Sequence, residues 1–112
     1  MWPVPGCREG LVTVLIHIVM FRRKPGNEPD AAVEARFFDQ LGALHSQVPL
    51  IRRWRLSRNQ LARPTSWSYV LESAFDDVAA LDAYLVHPAH VAVVGSLRHY
   101  FDWAVCDYTA RP

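Results

Sequence analysis

The sequence predicts an α+β domain of ferredoxin-like βαββαβ plan, in which one four-stranded antiparallel sheet carries its helices on one face. Three observations predict it. Four segments are rich in β-branched and aromatic residues or alternate with period two, two regions between them carry apolar stripes at helical spacing, and their order over 112 residues is βαββαβ. The second helical region is broken in two at His87-Pro88.

Residues 1–10 contain Pro3, Pro5, Gly6 and Gly10 and read as a flexible tail, with a single domain over 11–112. Leu11 to Arg22 is predicted as the first strand, with Val12, Val14, Ile16, Ile18 and Met20 on one face and Leu15, His17, Val19 and Phe21 on the other. Lys24-Pro-Gly-Asn27 is a turn, and Asn27 is the expected N-cap of a helix whose early Glu28 and Asp30 suit the positive end of its dipole. Val33, Phe37, Leu41, Leu44 and Val48 give that helix one apolar stripe, and Pro49 stops it. Leu50 to Asn59 reads as a second strand, its alternation placing Arg52 and Trp54 on one side and Arg53 and Arg55 on the other. Those arginines fit a solvated strand edge guarded by charge. Trp67 to Phe75 alternates as a third strand with Trp67, Tyr69, Leu71, Ser73 and Phe75 together. Asp76 or Asp77 caps the next helix, which carries Val78, Leu81 and Leu85; Pro88 restarts a helix through Val91, Val94 and Leu97. Phe101 to Thr109 supplies the last strand, with Trp103, Val105 and Asp107 facing one way and Ala104, Cys106 and Tyr108 the other.

A sheet with helices on one face leaves the other open to water. The first strand is apolar on both sides, so the open face is expected to take a partner sheet, most simply in a symmetric homodimer. Two sheets packed face to face would enclose a barrel-like interior.

A formal net charge of +1 gives no field that draws nucleic acid, so no nucleic-acid partner is expected. Cys7 and Cys106 lie far apart and form no disulfide framework or zinc motif. The apolar run Leu11 to Met20 is too short to span a bilayer and is followed by Phe-Arg-Arg-Lys rather than a small-residue cleavage site. A soluble cytoplasmic protein with no membrane partner is expected.

The chemistry-bearing segment is Tyr84-Leu-Val-His-Pro-Ala-His90. A residue before proline avoids the α region and proline suits the first helical position, so His87 is the hinge and His90 falls in the first turn of the new helix. The positive end of the dipole there disfavours an imidazolium and leaves His90 neutral, able to accept a proton. Tyr84 could donate a hydrogen bond to a developing oxyanion. Two histidines three apart also permit a metal, but without a placed carboxylate or cysteine none is expected.

His17-Ile-Val-Met-Phe-Arg, Val48-Pro-Leu-Ile, Ser68-Tyr-Val-Leu-Glu-Ser-Ala-Phe, Asp82-Ala-Tyr-Leu-Val-His-Pro-Ala-His-Val and Cys106-Asp-Tyr-Thr together resemble the stress-responsive dimeric α/β-barrel (Dabb) family over roughly Leu11 to Thr109. The resemblance implies a homodimer with an eight-stranded central barrel. It also implies chemistry, because a plant polyketide cyclase of this family closes a linear chain by intramolecular aldol condensation without a cofactor. Its tyrosine and second histidine match Tyr84 and His90, which implies His90 as base and Tyr84 as stabiliser of the enolate or carbonyl oxygen. Its first-strand histidine matches His17, a third catalytic candidate. Where that cyclase has a further histidine in the third strand this chain has Tyr69, so substrate shape is expected to differ. The implied pocket holds a small hydrophobic or aromatic polyketide-like molecule against Tyr69, Phe37, Phe38, Leu41, Trp67, Trp103 and His87. Most members have no known reaction, so the alternative is a non-catalytic stress-responsive dimer binding a small apolar ligand. A third reading is a cofactor-free monooxygenase of the related barrel type, for which Asn59 and Trp67 are the available side chains.

Overall fold

The computed structural model describes residues 13–111, so the predicted tail lies outside the described residues. The elements run β1 (Val14–Arg23), α1 (Ala31–Gln47), β2 (Arg53–Arg58), β3 (Tyr69–Phe75), α2 (Val78–Leu85), α3 (Pro88–Leu97) and β4 (Phe101–Ala110). They form one antiparallel sheet in the order β2-β3-β1-β4, which is the ferredoxin-like arrangement. The edge position of β2 agrees with its arginines.

Several boundaries differ from expectation, each for a local reason. The cap of α1 is Asp30, not Asn27. The Asp30 carboxylate accepts from the N–H groups of Ala32 and Val33 at 3.0 and 3.1 Å, whereas the Asn27 amide donates to the carbonyls of His99 and Tyr100 and ties the turn to the start of β4. Strand β2 starts at Arg53 because Leu50 and Ile51 close a turn behind α1, with the Ile51 N–H bonded to the Val48 carbonyl. Trp67 precedes β3 rather than opening it. Of the two aspartates before α2, Asp77 caps it through the Ala80 N–H, and Asp76 instead pairs with Arg52 at 2.9 Å.

Residues paired across a ladder share a face, and the registers Leu15↔Phe75, Val19↔Leu71, Phe21↔Tyr69, Phe21↔Trp103 and Leu56↔Leu71 put one row from each strand under the helices. That layer holds the main core: Phe37, Leu41 and Leu44 from α1 and Val48 at its C-cap meet Val19, Phe21, Leu71, Phe75 and Phe101. Phe37 lies within 4.5 to 5.2 Å of the rings of Phe101, Tyr69 and Phe21. Each such buried ring contributes roughly 2–3 kcal/mol. On the opposite face β1 shows Val14, Ile16, Ile18 and Met20 beside Ala74 of β3 and Ala104, Cys106 and Tyr108 of β4. Val14, Ile16 and Ala74 of that face form a small buried cluster of their own, while Met20 is 39% and Tyr108 50% exposed. Helices α2 and α3 meet at a 61° bend, and no single helix among the described residues is long and apolar enough to cross a membrane.

Candidate active site

The bend between α2 and α3 is what brings Tyr84 and His90 together. His87 is extended (φ −62°, ψ 135°), as a residue before proline must be, and its Nδ1 accepts the Ala89 N–H at 3.1 Å, so the expected hinge is also the N-cap of α3. Tyr84, in the last turn of α2, and His90, in the first turn of α3, then lie ring to ring with centroids 4.4 Å apart.

Both line a cavity of about 180 Å³ between helices and sheet. His17 of β1 is its third polar wall residue, and Leu41, Leu71, Leu97, Trp103 and Val105 supply apolar wall. Tyr84 is 1% exposed, and burial alone lifts its phenol above the ordinary value, so it stays protonated at neutral pH. His90 Nδ1 lies 2.9 Å from the Leu85 carbonyl oxygen. A carbonyl only accepts, so Nδ1 carries the proton and the lone pair of the neutral ring is on Nε2. Burial lowers the His90 pKa below 6.5, the Leu85 hydrogen bond opposes that, and the neighbouring His17 and His87 lower it further. His90 is therefore a neutral base at pH 7, with burial the largest cause.

His17, 4% exposed, donates from Nδ1 to the Asp107 carboxylate at 2.5 Å, across the β1–β4 ladder where the two are register partners. This fixes the orientation of its ring. A neutral base and an undissociated phenol in ring contact within an apolar cavity form a pair suited to taking a proton from carbon while steadying the oxygen that gains charge.

The other predicted pocket residues lie elsewhere. Phe37 is packed in the core beneath the cavity, 1% exposed. Tyr69 and Phe38 meet edge to face with centroids 5.1 Å apart and the Arg58 guanidinium over both rings, and the Tyr69 hydroxyl donates to Glu34. Trp67 lies under the Arg22 guanidinium, 4.4 Å from its centroid. His87 faces a shallow groove between α1 and α3. Of the apolar wall candidates, Leu41 and Trp103 reach the cavity. Asn59 and Trp67, the pair the monooxygenase reading needs, line a separate groove of about 610 Å³ together with Tyr69 and Glu34, away from Tyr84 and His90. That groove is larger but holds no comparable base, since Glu34 is tied up by Arg23 and by the Tyr69 and Tyr100 hydroxyls. Among the described residues no group of three His, Cys, Asp or Glu could hold a metal ion, and His87 and His90 are each engaged with backbone.

Three residues escaped the sequence reading. Asp107 was placed on the face of Trp103 and Val105, yet only the β1–β4 register shows that it meets His17. Trp54 stands edge-on to Tyr84 at 6.2 Å, backing it from β2. Glu34 sits one position beyond the predicted apolar stripe of α1 and carries no sequence signal for burial.

A family model described as the stress responsive A/B barrel domain, Dabb, matches residues 15–110. An uncharacterized protein of Streptomyces coelicolor is 35% identical over 95 residues, covering 82% of this chain and 95% of the relative. Olivetolic acid cyclase of Cannabis sativa is 24% identical over 98 residues, covering 85% and 95%. Among solved structures, a dimeric ferredoxin-like protein of unknown function from Bacteroides fragilis superposes with TM-score 0.75 at 26% identity, covering 85% of this chain and 94% of that one. A hydroxynitrile lyase from Passiflora edulis (TM-score 0.76, 17% identity, 88% and 94% covered) and the cofactor-independent oxygenase SnoaB from Streptomyces nogalater (0.69, 21%, 90% and 96%) share the fold. With the family model spanning nearly every described residue and the expected βαββαβ sheet in place, the chain belongs to the stress-responsive A/B barrel (Dabb) family.

Proposed function

We propose that the protein is a cofactor-independent enzyme that removes a proton beside a carbonyl, and that its reaction is an aldol-type cyclisation of a small poly-β-keto chain. The observation that carries the proposal is the Tyr84–His90 pair: a base whose tautomer is set by the Leu85 carbonyl, in contact with a phenol kept protonated by burial.

His90 Nε2 takes the proton from an activated CH₂. The electron pair of the broken C–H bond moves toward the adjacent carbonyl oxygen, to which the Tyr84 hydroxyl donates. The enolate carbon then attacks a second carbonyl carbon of the same chain, forming the ring C–C bond. The new alkoxide takes a proton back from the His90 imidazolium, so the base is regenerated and no electron acceptor is needed. His17, held by Asp107, orients the chain from the sheet side. The apolar wall keeps the developing charge in a low-dielectric surround, where the Tyr84 hydrogen bond counts for more than in water.

The working unit in this proposal is a homodimer joined through the open sheet face. The exposed Met20 and Tyr108 and the half-buried Ile18 on that face support it, as does the dimeric state given for the Bacteroides structure.

The test is incubation with tetra- to hexaketide thioesters and comparison with His90→Ala. Ring products from the wild type alone are expected; identical product profiles would overturn the proposal. A second reading, passive binding of a small apolar ligand, is favoured by the cavity volume. About 180 Å³ is close to the roughly 150 Å³ of a cavity that accepts benzene. Ligand binding by wild type and His90→Ala alike, with no turnover of any ketide, would establish it.

A further inference from the structure

This inference rests on reading the Tyr84–His90 cavity as a substrate site. A cavity of about 180 Å³ holds little more than one ring or a short acyl segment, so the rest of a longer substrate must lie outside it. Two of the cavity's wall residues, Val94 and Trp103, also line a neighbouring groove of about 600 Å³. That groove is chemically unlike the cavity. Its walls carry Arg22, Lys24 and Arg98, against Asp102 as the one carboxylate among its lining residues.

The cations are held differently. Lys24 Nζ lies 3.6 Å from Asp102 Oδ1, with both side chains about two-fifths exposed, so the one carboxylate is already shared with the one ammonium. The Arg22 guanidinium lies over the Trp67 ring, 4.4 Å from its centroid, and Arg22 is the register partner of Asp102 across the β1–β4 ladder. Arg98 stands at the C-cap of α3, one turn beyond the shared wall residue Val94, on the groove side. Among the described residues neither guanidinium has a carboxylate within ion-pair distance, so the groove carries two more positive charges than its one Lys24–Asp102 pair balances. A planar fork of donors is suited to carboxylate or phosphate.

We propose that the substrate is an anionic amphiphile, with its short apolar or aromatic end in the cavity beside Tyr84 and His90 and a carboxylate or phosphate received by Arg22 and Arg98. Trp103 and Val94 form the apolar threshold between the two compartments. The anionic group then sets which end of the chain enters the cavity. A neutral chain of the same length has no such bias.

The experiment measures binding of 6-phenylhexanoate, its methyl ester and 6-phenylhexyl phosphate by calorimetry, to the wild type, to Arg22→Ala/Arg98→Ala and to Val105→Trp. Both arginines are exposed and Val105 is an exposed strand position on the cavity wall, so these variants are expected to fold. The acid is expected to bind about tenfold tighter than the ester at low salt, from two exposed charge contacts, and the gap should close as ionic strength rises. The double variant should lose that gap and keep the ester affinity, while Val105→Trp weakens all three ligands. Phosphate binding well beyond the carboxylate would identify a phosphorylated carrier as the source of the charge; equal binding of the two would assign it to the substrate's own acid. Equal affinities for acid and ester in the wild type, both weakened by Val105→Trp, would overturn the anionic head and leave the cavity reading standing. Binding of neither would overturn the cavity reading itself.

Discussion

Replacing Glu34 by Gln should cost about 2–3 kcal/mol at pH 7 and almost nothing near pH 2. Glu34 is 8% exposed, and its carboxylate accepts two hydrogen bonds from Arg23, at 2.5 and 2.8 Å, and one each from the hydroxyls of Tyr69 and Tyr100. Burial alone would raise its pKa, but the Arg23 and tyrosine hydrogen bonds outweigh burial and hold it down at about 2, from an ordinary 4.5. At 1.36 kcal/mol per pH unit that difference is worth at most ~3.4 kcal/mol. The Arg23 side chain is 30% exposed, so solvent screening reduces the figure to about 2–3 kcal/mol. The folded-state pKa is depressed, so this stability is fully present above about pH 4.5 and is lost as pH falls toward 2. Glutamine resembles the protonated acid, and the wild type should therefore converge on the variant in acid. Urea unfolding of both proteins at pH 7, 4 and 2.5 reads the effect, with a fall in midpoint temperature of roughly 10 °C at pH 7 as a second measure. A gap below about 0.5 kcal/mol at pH 7, or one that persists unchanged at pH 2.5, would refute the reasoning.

Tyr84→Phe should lower kcat for ketide cyclisation by about 10²–10³, the usual cost of one oxyanion donor, yet leave urea stability within about 0.5 kcal/mol, because no hydrogen-bond partner contributes to the Tyr84 pKa shift and none is orphaned. The pH profile of kcat/KM should rise through a pKa below 6.5 and be flat from there to pH 8, since burial favours the neutral His90 that acts as base; a limb rising above pH 7 would contradict this. Asp107→Asn should leave the fold intact, as its side chain is 41% exposed, but raise KM more than it lowers kcat, because it loosens the His17 ring rather than removing the base. Asp77→Ala should cost about 1 kcal/mol in chemical denaturation through loss of the α2 cap.

Periodicity and punctuation made most of the architecture legible. The alternation in Trp67 to Phe75, the four-residue spacing of Phe37 and Leu41, and Pro88 after His87 each act over a few residues, and a chain read linearly shows such signals directly. The Tyr84–His90 contact was legible for the same reason, being closed within seven residues by one bend. What the sequence hid was set at long range. The His17–Asp107 pair depends on the β1–β4 register across 90 residues, and the removal of Tyr69 from the cavity depends on Glu34, whose burial no stripe announced. The cap of α1 went to Asp30 over Asn27 because Asn27 was claimed by carbonyls of His99 and Tyr100 more than 70 residues away.

The reacting pair and its walls come from different scales of the chain. Tyr84, Leu85, His87 and His90 arrange one another through a helix end, a cap and a carbonyl, whereas Leu41, Leu71, Trp103 and Val105 arrive from α1, β3 and β4. A substitution on β4 can thus reshape the space around a substrate without disturbing the tautomer of the base. Such a scaffold can diversify what it accepts by drift on its strands while its proton-transfer unit stays intact, and a laboratory search for new substrates would do best to randomise β4 first.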